Sequence, residues 1–134
     1  MPLHLFVAHF PVVLFLVGAG ADLLGAAMGS ASTRRAAGAL LILGGVLALL
    51  AFSTGQGALD AVLERFPRGS PRIEAHTQWG AVGTWLLGGL ALLRAMWRDR
   101  LDGAWGWANL AAALLAAAVV TGITLSGSAI SHGP

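Results

Sequence analysis

The segment Leu3-His4-Leu5-Phe6-Val7-Ala8-His9-Phe10-Pro11 opens an apolar run that continues to about Met28 with a single charged residue, Asp22. A bilayer's hydrocarbon core is crossed by roughly 20 mostly apolar residues in a helix, so this run is long enough to span. Three further runs meet the same test, about Ala36 to Leu63, Ala75 to Met96 and Trp105 to Ser131. Their short polar connections make neighbouring helices antiparallel. The pattern predicts one domain, an all-α integral membrane protein built as an antiparallel four-helix transmembrane bundle.

Composition leads to the same class. Of 134 residues, 57% are hydrophobic and 10% charged, against about 25% charged in soluble domains. Mean hydropathy is +0.77. So little charge cannot cover a globular surface, and the lipid bilayer must be the solvent. All eight basic residues are arginines, placed in or beside the connections. None builds a basic helix face that could track phosphates, so the net charge of +2 implies no nucleic-acid partner. The lack of cysteine excludes disulfides and thiolate-bound metal or iron–sulfur centres on this chain. No basic region precedes the first apolar run, which is expected to stay as a permanent span rather than be removed.

The spans carry local detail. Pro11 lacks an N–H donor, so either the first helix begins near it, or His4 and His9 ride on a helical lead-in before a kink. Asp22 reads as an acid near the far membrane surface, paired with Arg34 or Arg35. The first connection is Gly29 to Arg35. The second, Arg65 to Arg72, contains Pro67, Gly69 and Pro71 and reads as a surface loop. Arg94, Arg98, Asp99, Arg100 and Asp102 form the third, flanked by Trp97, Trp105 and Trp107 as an interfacial aromatic belt. Ser53, Gln56, Asp60 and Glu64 share a face at the end of span two. Thr121, Thr124, Ser128 and either Ser131 or His132 form a similar stripe late in span four. Gly80, Gly83 and Thr84 follow His76 on one face, a spacing that admits close helix approach. Gly44-Gly45 and Gly88-Gly89 also read as packing.

Antiparallel topology then makes a prediction about the four histidines. The start of span one, the end of two, the start of three and the end of four lie on one side. That side receives His4, His9, His76 and His132, and both polar stripes. The other side has Arg34, Arg35, Arg94, Arg98 and Arg100 against Arg65, Arg68 and Arg72. Basic loops resist translocation, so the histidine-free side is expected to be cytoplasmic, with both termini and the histidines outward.

A single interfacial histidine is ordinary, since its amphipathic ring suits headgroup depth. Four at one end, drawn from three spans, form what a shared ligand site would need. His4 and His9 lie roughly 140° apart at 100° per residue and could straddle an inward face. Neutral imidazole binds transition metals and is the usual axial ligand of haem. Two chemistries fit His4, His9, His76 and His132. One is b-type haem, with Gln56, Asp60, Thr124 and Ser128 as possible partners of the imidazoles or propionates. The other is a transition-metal ion held by His9, His76 and His132, with Asp60 as a further ligand. The absence of cysteine and the scarcity of methionine argue against copper(I). No serine elbow, HExxH motif or glycine-rich phosphate loop is present. The chain therefore reads as an electron carrier or binding subunit rather than a stand-alone enzyme. A third reading makes it an accessory subunit packed against a larger membrane complex.

The opening His4 to His9-Phe10-Pro11, the histidine at the head of span three, and the ending Ser131-His132-Gly133 resemble a family of small bacterial four-span membrane proteins carrying domain of unknown function 2231. Its members typically open HPxxxHFP. Here Leu5 stands where proline is typical, and the ending lacks the usual tyrosine. The resemblance covers nearly the whole chain and implies a bacterial cytoplasmic-membrane location. Because some family members are joined to Rieske or cytochrome c-like domains, it also implies an electron-transfer setting with redox proteins as partners.

Overall fold

The computed structural model describes the backbone of residues 2–63 and 71–131, and their side chains except for residues 2–5, 56–63, 72 and 129–131. Four helices account for nearly all of it: α1 (Pro2–Ala27), α2 (Ala31–Leu63), α3 (Pro71–Met96) and α4 (Gly103–Ser131). Each contains an apolar stretch of at least 22 residues, long enough to cross a membrane. The four-span, all-helical expectation holds. Helix α1 runs through Pro11 without interruption, which places His4 and His9 on the same helix as the rest of the span.

The connections are tighter than the sequence suggested. Residues Ser32 to Arg35 belong to α2, not to a loop. The chain reverses within Met28–Ser30, because Gly29 adopts a left-handed conformation (φ 64°) that an L side chain resists. The amide of Ser30 then reaches back to the carbonyl of Gly25 (2.8 Å), and that of Gly29 to Ala26 (3.3 Å). This pair of bonds is the Schellman closure of a helix end. Ser30 immediately caps α2, its Oγ accepting from the Thr33 amide at 3.3 Å. Helix α3 starts on Pro71, whose missing N–H costs nothing at a first helical position. The rest of the proline-containing connection, residues 64–70, lies outside the described residues. Between α3 and α4, Asn109 Nδ2 donates to the carbonyls of Arg100 (2.9 Å) and Trp97 (3.3 Å). The rings of Trp97 and Trp105 lie 4.8 Å apart, with the Arg100 guanidinium 5.1 Å from the Trp105 ring. Trp107 is exposed beside this connection.

Each helix packs against two neighbours, α1 and α3 each against both α2 and α4. Phe15, Leu41, Leu87 and Val120 fill the centre with Ala19, Ala48, Ala113 and Ala116. In lipid the outward apolar side chains gain nothing by association, so close approach through small residues sets which faces meet. Gly44 lies against Phe15 and Leu14 of α1, and Gly83 against Ile123 and Val119 of α4. Gly88 and Gly89 depart from the expected packing. Gly89 faces outward with no atom within 4 Å of its would-be Cβ, and Gly88 meets only Leu49, at 4.0 Å. Large exposed side chains such as Phe6, Val82, Trp85 and Leu125 form the lipid face.

Gly45 gives a direct test of this packing. A Cβ there would collide with the Ala91 Cβ of α3. Gly45→Ala is expected to destabilise the bundle by about 1–3 kcal/mol, the usual cost of overpacking. Adding Ala91→Gly should restore most of the loss. Thermal unfolding in detergent measures both, and an exchange variant no better than Gly45→Ala would show that α2 and α3 do not meet there.

Candidate functional site

Two polar constellations exist among the described residues, at opposite ends of the bundle. The first is charged and buried. Asp22, Arg34 and Arg94 are 0%, 6% and 2% exposed. Arg34 Nε donates to Asp22 Oδ1 at 3.0 Å and its Nη2 to Oδ2 at 3.4 Å. The same guanidinium donates to the carbonyls of Leu101 and Gly106, both at 2.8 Å. Arg94 Nη2 donates to Asp22 Oδ1 (2.9 Å) and to the Arg34 carbonyl (2.7 Å). The cluster ties the end of α1, the start of α2, the end of α3 and the start of α4, which establishes the antiparallel order directly.

Asp22 thus pairs with Arg34 rather than Arg35. Arg35 instead meets Asp99 at 3.5 Å in an exposed pair, of the kind that contributes little. Arg94 was expected in the surface connection, yet it sits in the last turn of α3 and points inward. Two arginines and one aspartate leave the cluster one positive charge in excess. Arg94 Nε and Nη1 have no hydrogen-bond partner among the described residues. A cavity of about 10 Å³ lies beside Arg94, Phe15, Leu41 and Ala113, room for one water at most. Arg34 spends its donors on joining helices, which is the work of a structural clamp.

The second constellation is the histidine end. His76 is half-buried early in α3. Its Nδ1 lies 3.0 Å from Ser126 Oγ, late in α4. That Oγ also lies 2.7 Å from the carbonyl of Ile123. Gly127 completes the seat: a Cβ there would come within 3.1 Å of His76 Cε1, so the ring lies close against α4 because position 127 has no side chain. His9 is exposed on α1, beside the edge-to-face pair Phe6–Phe10 (5.1 Å). Thr121, Thr124 and Ser128 stand on the outer face of α4, where their hydroxyls donate to the carbonyls of Ala117, Val120 and Leu125.

The remaining proposed ligands fall outside this description. His4, Gln56 and Asp60 lie on described helices, but their side chains are outside the described residues, as is all of His132. Among the described residues no group of three or more His, Asp or Glu side chains is placed to hold a metal ion. Ser126 was not singled out from the sequence. Its signal was helical phase, since it lies three residues beyond Ile123 and next to Gly127, on the side of α4 turned to α3.

Comparison with known proteins adds one finding. The family model described as "Predicted membrane protein (DUF2231)" matches residues 1–131. No curated protein and no solved structure matches the chain.

Proposed function

The chain belongs to the DUF2231 family of predicted membrane proteins, matched over residues 1–131, and from that premise we propose that it is a small haem-binding electron-transfer protein of the membrane. The observation that carries this reading is the seating of His76: an imidazole hydrogen-bonded at 3.0 Å to Ser126 and laid against Gly127, at the end of the bundle where α1, with His4 and His9, also begins. Buttressing of one ring nitrogen is the usual preparation of a metal-binding histidine. His76 would hold the iron, with His9, His4 or His132 as the second axial ligand. A b-type haem bound there would supply a one-electron redox centre. Phe15, Leu41, Leu87 and Val120 are buried and packed together at the centre, so a porphyrin would sit at the histidine end. Arg35, Arg98 and Arg100 are exposed at the opposite end, where basic residues favour a cytoplasmic position. The histidine end would then face outward, towards redox proteins or a larger membrane complex.

The packed centre also suits a second reading, in which the same histidines hold a single transition-metal ion. Absorption spectroscopy separates the two. Protein purified in detergent from haem-replete cells is expected to show a Soret band that moves on reduction and is lost in His76→Ala. A colourless preparation that binds no added haem would overturn the haem reading. Elemental analysis would then report the metal, and metal content unchanged in His76→Ala would reject the second reading as well.

A further inference from the structure

We propose that the turn between α3 and α4 holds the phosphate of an anionic phospholipid, with Arg100 as the anchoring cation. The chain's formal net charge of +2 is unevenly placed. Around the connection from α2 to α3, Asp60, Glu64 and Glu74 balance Arg65, Arg68 and Arg72. At the other end Arg34, Arg35, Arg94, Arg98 and Arg100 stand against Asp22, Asp99 and Asp102. The whole excess of positive charge therefore belongs to that end, which draws it to an anionic membrane surface.

Within that end Arg100 is the arginine left for a ligand. Arg34 and Arg94 are buried on Asp22. Arg35 and Arg98 share Asp99, at 3.5 and 3.7 Å. Arg100 meets no carboxylate among the described residues. It is exposed, and its guanidinium lies over the Trp105 ring, 5.1 Å from the centre. Its backbone is pinned on both sides. The Arg100 amide donates to the Trp97 carbonyl at 2.9 Å, and its own carbonyl accepts from the buried Asn109 at 2.9 Å. Trp105 is set in turn against Trp97. A cation over an indole face is attracted to it, which holds the guanidinium in place without using its N–H donors. The turn joins the apolar stretches Ile73–Met96 and Gly103–Ser128, so it stands at headgroup depth. The anionic oxygen abundant at that depth is lipid phosphate, and the planar donor fork of arginine matches it. The charge excess favours a lipid of net negative charge over a zwitterionic one. This site is independent of any cofactor at the histidine end.

The test is native mass spectrometry of the full chain, released from detergent in the presence of equal phosphatidylglycerol and phosphatidylcholine. One phosphatidylglycerol is expected to bind in preference. Arg100→Gln should weaken that binding about tenfold or more, the loss of a charge-assisted hydrogen bond. Arg98→Gln removes the same charge from a side chain paired with Asp99, and should weaken it by about fivefold at most. Trp105→Leu leaves the charge unchanged and should weaken it about two- to fivefold, through loss of the ring beneath the guanidinium. Equal binding of the two lipids overturns the proposal. Equal losses in Arg100→Gln and Arg98→Gln, or no loss in Trp105→Leu, would reveal diffuse attraction and overturn the site at Arg100. Displacement of the lipid by millimolar inorganic phosphate would assign the site to the free anion and overturn the lipid assignment.

Discussion

Asp22→Asn is expected to destabilise the bundle by about 3–5 kcal/mol, the cost of removing one partner from a buried ion pair. The carboxylate is fully buried and is the acceptor common to both guanidinium groups. Neutralising it leaves two positive charges facing each other where neither reaches water. Arg34 is further held by two carbonyls and cannot turn away. The same accounting predicts an asymmetry. Arg94→Met removes the excess charge and the two unpartnered donors, and leaves Asp22 and Arg34 as a balanced pair. It also frees the Arg34 carbonyl, which as part of α2 retains the helix's own hydrogen bond. Arg94→Met should therefore be distinctly milder than Asp22→Asn. Thermal unfolding in detergent compares them. Equal losses, or a milder Asp22→Asn, would mean that the cluster is not held by its charge balance.

How much of this was legible before any coordinates depends on the kind of signal. Four spans and their order follow from apolar length and short connections, and the observed helices agree. The pairing of Asp22 with an arginine of the next span was legible too, but the choice between Arg34 and Arg35 was left open. It lay in helical phase: Arg34 repeats with Ala37, Gly38, Leu41, Gly45 and Ala48, all buried. Arg35 is one step out of that stripe. Arg94 carried the same signal, in phase with Thr84, Leu87 and Ala91. Grouping it with neighbouring arginines by charge obscured its phase. Polarity misdirected attention on α4 as well. Thr121, Thr124 and Ser128 form the more conspicuous stripe, yet the hydroxyls of Thr121 and Thr124 donate to their own helix. A threonine or serine can face lipid that way, and so polarity alone does not mark an inner face. Ser126, which reaches His76, shows itself only once α3 and α4 are in register. The expected meeting of all four histidines is a reading of span order alone: only His9 and His76 have described side chains, and His132 lies outside the described residues.

Gly106→Ala is expected to be the other severe change, at about 3 kcal/mol or more. Gly106 lies in the first turn of α4. A Cβ there would fall on the carbonyl of Leu101, with Arg34 Nη1 only 3.1 Å away. That carbonyl is backbone and cannot swing aside as a side chain would. It is also half of the grip on Arg34, whose Nη1 takes Leu101 and whose Nη2 takes Gly106. Overpacking costs about 1–3 kcal/mol, and a hydrogen bond from a charged donor contributes about 1.5–3 kcal/mol. Alanine at 106 incurs the first and loses at least one of the second. Gly103 supplies the control. It has the unusual backbone (φ 56°), but nothing lies within 4 Å of its would-be Cβ. Gly103→Ala should cost only the left-handed penalty of about 1–2 kcal/mol. Gly20, helical and open to lipid, should tolerate alanine or gain up to about 1 kcal/mol from its better helix propensity. The expected order of loss, 106 above 103 above 20, opposes what backbone conformation alone would give, which puts 103 first. Unfolding of the three variants in one detergent decides between them, and a loss at 103 equal to that at 106 would mean that Arg34 does not hold the start of α4 through those two carbonyls.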